Sequence, residues 1–244
     1  MTASLLGAAS VIVLVAGIVR GLTGFGFAAL AVVALAFLLP VREAVPVVLC
    51  LDICASAALL PGCWRHVDWG VTRPLLLAAL CGVPIGLLGL TRIDGQAMAL
   101  GVYLLIGALA LIGLARWRLP VGDGPLSAWL VGGATGALLA AFSVGGPLVG
   151  AWLTHAGTRP DRMRATLVLF FGAVDLVSVA ALAATGHLGP ETPLRVAALL
   201  PCAFIGLWIG EKLFTRVPAS RAVTLAQWLL LVLALLGLYG TLAA

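Results

Sequence analysis

Gly17-Ile18-Val19-Arg20-Gly21-Leu22-Thr23-Gly24-Phe25-Gly26 interrupts an apolar run that starts near residue 4 and resumes at residue 27. About 120 residues later the chain breaks again. Gly132-Gly133-Ala134-Thr135-Gly136 is followed by Ser143-Val144-Gly145-Gly146-Pro147. Each break opens a short apolar segment, 27–39 and then 147–157. A full helical crossing of a bilayer needs about 20 residues, so both segments are short. Paired short segments interrupted by Gly and Pro, at corresponding places in two halves, point to a transporter's binding site.

Outward from the breaks lie ten apolar segments: 4–19, 27–39, 44–61, 72–90, 97–115, 126–142, 147–157, 163–184, 193–213 and 222–243. Of the 244 residues, 63% are hydrophobic and 9% charged. A soluble domain carries about 25% charged residues, so these segments must face lipid as well as one another. The expected fold is an all-α polytopic membrane protein. The net charge of +5 comes from basic residues scattered between apolar runs. They read as topology determinants, which excludes nucleic acid as a partner. The first 21 residues lack a basic leader region and run on into apolar sequence, so they read as a retained helix. The five cysteines show no CxxC or Cys/His spacing, so neither a metal nor another cofactor is expected.

The two halves echo each other at a near-constant offset. Asp52 before Ala57-Ala58-Leu59 matches Asp175 before Ala180-Ala181-Leu182, and Pro84-Ile85-Gly86-Leu87 matches Phe204-Ile205-Gly206-Leu207. The expected organisation is a first transmembrane repeat over 1–118, a polar linker over 119–125 and a second repeat over 126–244. Five segments per repeat is an odd number, so the second copy enters the membrane inverted.

Charge tests this arrangement. If all ten segments cross, Arg20, Arg65, Arg73, Arg116, Arg118, Arg159, Arg162, Arg164, Lys212, Arg216 and Arg221 share one face, and Arg42, Arg92 and Arg195 the other. That is eleven against three. If segments two and seven dip and return, the split is nine against five. The first arrangement is favoured. It makes the basic face cytoplasmic, with both termini extracytoplasmic in a multi-pass cell (inner) membrane protein.

The breaks suggest chemistry directly. Unwound backbone at membrane depth is tolerated where it lines a cavity or is buried in protein. The N–H groups opening a short helix have no intrahelical partner and carry about half a positive charge. Two such ends from inverted repeats converge on a site for a small anion that does not require a buried Lys or Arg. The candidate binding residues are Thr23, Gly24, Phe25 and Gly26 in the first copy, and Ser143, Val144, Gly145, Gly146 and Pro147 in the second. Thr23 and Ser143 offer hydroxyl donors, and Pro147 suits a first helical turn. The same glycines also fit plain helix packing.

Asp52 and Asp175 lie mid-segment, where ionisable groups are costly and usually functional. Desolvation there favours the neutral acid, which suits proton carriage. Capping a broken helix is the structural alternative. Arg42 and Arg164 open the third segment of each half and are candidates for attracting an anion. Interfacial anchoring explains them equally simply. Trp64, Trp69, Trp117, Trp129 and Tyr239 fit an interfacial belt, with His66 and His187 as loop residues.

Gly17 through Gly26, Ser143-Val144-Gly145-Gly146-Pro147 and the starts at Arg42 and Arg164 together resemble the TauE/SafE sulfite exporter family. The likeness covers nearly the whole chain and includes the twofold repeat. Phe27 and Ala28 stand where the pattern has a glycine and a proline, and Ser143 where it has a glycine. The resemblance implies export or uptake of a small anion, sulfite or an organosulfonate.

The leading expectation is a secondary carrier, not an enzyme, for a sulfur-containing or carboxylate anion. It works by alternating access around the paired helix ends, with protons as a coupling partner. A transmembrane thiol-disulfide conductor using Cys81 and Cys202 is the alternative. A hydrolase using Ser143 would need a base, and His155 and His187 sit near segment ends.

Overall fold

The structure, a computed structural model, describes residues 3–115, 125–214 and 219–243. Most of the expected linker, 119–124, lies outside these residues, as do Arg116, Trp117, Arg118 and Arg216. The described residues form ten α-helices and no strand. They are α1 (Ala3–Thr23), α2 (Phe27–Leu35), α3 (Val41–Cys63), α4 (Trp69–Arg92), α5 (Gly95–Leu114), α6 (Pro125–Phe142), α7 (Gly146–His155), α8 (Pro160–Ala184), α9 (Thr192–Phe214) and α10 (Ala219–Ala243). A single turn of 3-10 helix, Trp64–His66, follows α3. Seven of the helices are long and apolar enough to cross a membrane, and α6 is a shorter apolar helix.

Polar and proline residues mark the helix starts. The Asp68 carboxylate accepts the Gly70 N–H at the start of α4, and Asp94 accepts the Gln96 N–H at the start of α5. Each satisfies a donor with no partner inside its helix. Pro160 opens α8, with Asp161 in its first turn.

Charged contacts sort the helix ends into two groups. Arg162 Nη1 lies 3.6 Å from Asp68 Oδ2, which places the starts of α4 and α8 together. Arg164 Nη2 is 3.2 Å from the Gly21 carbonyl and 3.6 Å from Glu211 Oε1, adding the ends of α1 and α9. This is end A. At end B, Arg195 Nη1 and Glu43 Oε2 are 2.6 Å apart, and Arg42 donates to the Ile93 carbonyl. Those contacts gather the starts of α9 and α3 and the end of α4. Hence α1 finishes at end A while α3 begins at end B, and the stretch between them traverses the bundle.

The second half does the same in reverse. α4 and α6 pack in parallel: Gly132 meets Leu75, Gly136 meets Ala79 and Gly86 meets Ala137. So α6 finishes at end B, while α8 starts at end A, and α7 covers the return. α2 and α7 have 9 and 10 residues, rising about 13.5 and 15 Å, half of a hydrocarbon core. The unwound breaks supply the rest of the path. A re-entrant form, returning each segment to the end it left, does not fit these pairings.

The helices associate as α1 with α9, α4 with α6, α3 with α8 and α5 with α10. Glycines permit the closest of these approaches. A methyl group on Gly86 would come 2.1 Å from the Ala137 carbonyl oxygen, and one on Gly206 would come 2.2 Å from that of Leu14. Without a hydrophobic drive between helices in lipid, such close van der Waals packing is what holds them together. The largest apolar cluster wraps α2, which is buried along its entire length. Trp64, Trp69, Trp129 and Tyr239 are exposed at the periphery.

Candidate functional site

The first break winds tightly. Gly24 (φ 79°) and Gly26 (φ 91°) both occupy the left-handed region, which L side chains rarely enter. The Gly24 N–H bonds back to the Arg20 carbonyl at 2.8 Å. Thr23 secures the turn itself. Its hydroxyl lies 2.8 Å from the Val19 carbonyl and 2.6 Å from the Phe25 carbonyl, and accepts the Phe25 N–H at 3.2 Å. Thr23 therefore serves the backbone and does not line the cavity described below.

The second break turns at Ser143, the one non-glycine with positive φ (54°) among the described residues. It lies 119 residues after Gly24, at the offset the two halves share. A serine thus adopts the left-handed conformation that Gly24 adopts at the first break. Its hydroxyl is buried and has no hydrogen-bond partner. Val144 is fully buried in the main apolar cluster. Gly145 precedes α7, and Pro147 sits in its first turn.

The two breaks meet. The Phe25 side chain lies against Gly146, and the Gly26 nitrogen is 3.6 Å from where a Gly146 methyl would stand. Gly26, Ala28 and Ala29 at the start of α2 and Gly145 and Gly146 at the start of α7 line one cavity, with Ser143, Arg20, Asp52, Leu139 and Phe171. Its open space is about 10 Å³, room for about one water. In this conformation it has no room for a larger group.

Arg20 is the largest departure from the sequence reading. Counted there as a face residue, it is 1% exposed and lies inside the bundle. A buried cation thus joins the two helix starts at the cavity. Arg20 Nε lies 3.3 Å from Asp52 Oδ1, Nη2 donates to Ser56 Oγ at 2.6 Å, and Nη1 donates to the Gly24 carbonyl at 2.9 Å. The guanidinium also stands 5.6 Å from the centre of the Phe171 ring. Burial this complete requires such pairing, because an isolated charge in a low-dielectric interior is very costly.

Asp175 on α8 is wholly buried. No N–H or O–H donor reaches either of its oxygens. Asp52, on the helix packed against α8, is its acidic neighbour. The close crossing of α3 and α8 at Ser56 and Gly172 brings the two aspartates together. Neither aspartate caps a broken helix; they form a charged cluster with Arg20 beside the cavity.

Arg42 and Arg164 are separated by the bundle. Arg42 is exposed at end B, donating to the carbonyl after α4. Arg164 packs its stem on Gly24 and reaches Gly21 and Glu211, close to the first break but outside the cavity lining. All five cysteines are free thiols. Cys81 on α4 is exposed, Cys202 on α9 is half-buried, and neither lines the cavity. No cluster of metal-ligating side chains occurs among the described residues.

The fold and the cavity define a polytopic, all-helical membrane protein with a charged pocket at two opposed helix starts. The chain belongs to the sulfite exporter TauE/SafE family of membrane transport proteins: the family model matches residues 9–240, nearly its full length. No curated protein and no solved structure matches the chain.

Proposed function

We propose that this protein is a secondary carrier for a small anion, sulfite or an organosulfur or carboxylate anion, and that the cavity between α2 and α7 is its binding site. One observation carries the reading: two unwound helix starts, from opposite ends of the bundle, converge on a buried guanidinium and an unpartnered serine hydroxyl. Each component suits negative charge. Helix N-termini offer unpaired N–H groups, Arg20 offers forked donors, and Ser143 offers an O–H.

The two halves, 1–118 and 126–244, act as inverted repeats in this proposal. α1 runs from end B to end A and α6 the other way, and the α1–α9 pair corresponds to α6–α4 when the halves are exchanged. Rocking of these packed pairs opens the cavity to each side in turn. End A, which holds Arg65, Arg73, Arg159, Arg162 and Lys212, faces the cytoplasm in this scheme. The thiol-conductor alternative lacks support from the positions of Cys81 and Cys202, which lie on separately paired helices away from the cavity.

Counterflow of labelled sulfite in proteoliposomes tests the proposal. Wild-type protein should exchange external label for internal sulfite, and Arg20→Met should abolish exchange while remaining in the membrane. Equal exchange by the two proteins would remove the site from consideration.

A further inference from the structure

We infer that Asp52 and Asp175 form a proton-holding pair gated by Arg20, so that each monoanion entering the cavity is accompanied by one proton. This rests on the reading of the cavity as an anion site and specifies what moves with the anion.

The argument is one of charge. Arg20 carries +1 and is always protonated. Two buried carboxylates on facing turns of crossing helices repel if both are ionised, and one proton held between them relieves this. One shared proton gives the pair −1, so the site is neutral before an anion enters. The Arg20 Nε faces Asp52 at 3.3 Å, and both residues line the cavity. A monoanion entering there reaches the guanidinium by replacing Asp52. The carboxylates are then left side by side with no cation, and the pair takes a second proton from water on the open side. The site is again neutral: +1 from Arg20, −1 from the anion and zero from two protonated acids. On the other side, anion and proton leave, and Asp52 returns to Arg20. The unpartnered, buried Ser143 hydroxyl on the same cavity points independently to a ligand site there.

Among the described residues, no ionisable group other than Arg20 and Asp52 lines the cavity. Cys50 on α3 stands near Asp175, and Cys63 stands between Arg20, Arg164 and Glu211 towards end A. α2 and α6 contain no ionisable residue, and α7 contributes only His155 at its far end.

The inferred behaviour is electroneutral cotransport, which calorimetry and vesicle flux test together. The probe is methanesulfonate, a monoanion whose acid form does not cross lipid, with sulfite alongside. Binding measured in buffers of different ionisation enthalpy should show uptake of one proton per methanesulfonate by wild-type protein, and none by the Asp52→Asn/Asp175→Asn double variant. In proteoliposomes an inward methanesulfonate gradient should acidify the lumen, and a potassium-valinomycin potential should drive no accumulation. Anion binding or flux without proton movement, with protons moving the opposite way, or driven by voltage would overturn this inference and leave the anion site standing. Failure of both probes to bind or move would overturn the two together. Should the double variant fail to fold, the wild-type proton count alone decides.

Discussion

Arg20 on α1 and Asp52 on α3 face each other at 3.3 Å with side chains 1% and 2% exposed. Removing one member of such a pair strands the other without water or counter-charge. Arg20→Ala should therefore lower stability by about 3–5 kcal/mol. Arg20→Met with Asp52→Leu should recover most of that loss, because apolar replacement of a buried ion pair is close to neutral. Melting of the detergent-solubilised variants reads both. A double variant as unstable as Arg20→Ala would show that the ion pair itself holds α1 against α3.

Ser143 is held in a left-handed conformation at φ 54°. A side chain there costs about 1–2 kcal/mol, partly offset by the greater unfolded-state freedom of glycine. Ser143→Gly should stabilise the protein slightly, by roughly 0.5–1 kcal/mol, yet weaken anion binding through loss of the hydroxyl. Ser143→Val should destabilise, since β-branched residues rarely enter this region. Thermal melts with and without sulfite separate the two effects. A Ser143→Gly protein that binds sulfite as wild type does would take the hydroxyl out of the site.

Methyl groups on Gly86 and Gly206 would run into backbone carbonyl oxygens of the neighbouring helix, at 2.1 and 2.2 Å, whereas one on Gly7 meets nothing within 4 Å. Gly86→Ala and Gly206→Ala should each cost about 1–3 kcal/mol through overpacking. Gly7→Ala should be neutral or stabilising. Equal melting temperatures for all three would mean that the helix pairs part easily.

Orientation is open to labelling. In a background lacking the native cysteines, a thiol introduced at Asp161, at end A, should resist a membrane-impermeant maleimide added to intact cells. One at Asp94, at end B, should react. The reverse pattern would invert the assignment of the basic end to the cytoplasm.

The sequence displays what composition and spacing can show. Glycine runs and two aspartates stand out against apolar background, so both breaks and both carboxylates were legible. The echo between halves led to the pairing of α2 with α7. Arg20 was not legible as a core residue. It follows segment 4–19 directly, where a basic residue reads as an interfacial anchor, and only the continuation of α1 to Thr23 buries it. A usable signal was present: Arg20 lies inside the glycine motif, four residues before Gly24, whose carbonyl it binds. Thr23 shows the opposite limit, since a hydroxyl beside a break has its own turn to satisfy. Arg42 and Arg164 open the third segment of each half in sequence, yet they stand at opposite ends of the bundle, and spacing alone does not say which end a segment starts from.

The pairing of α1 with α9 has a consequence for how the protein is made. Gly17 leaves the ribosome 190 residues ahead of Leu207, the residue it packs beside. At about 5–20 residues per second, that is a wait of roughly 10–40 s. During this time the first helix sits in the insertion machinery or the bilayer with a glycine face uncovered. Its arginine has company sooner, once Asp52 and Ser56 arrive. Assembly of α1 is thus tethered early by charge and closed late by shape, and a chain truncated before α9 should leave it open to degradation.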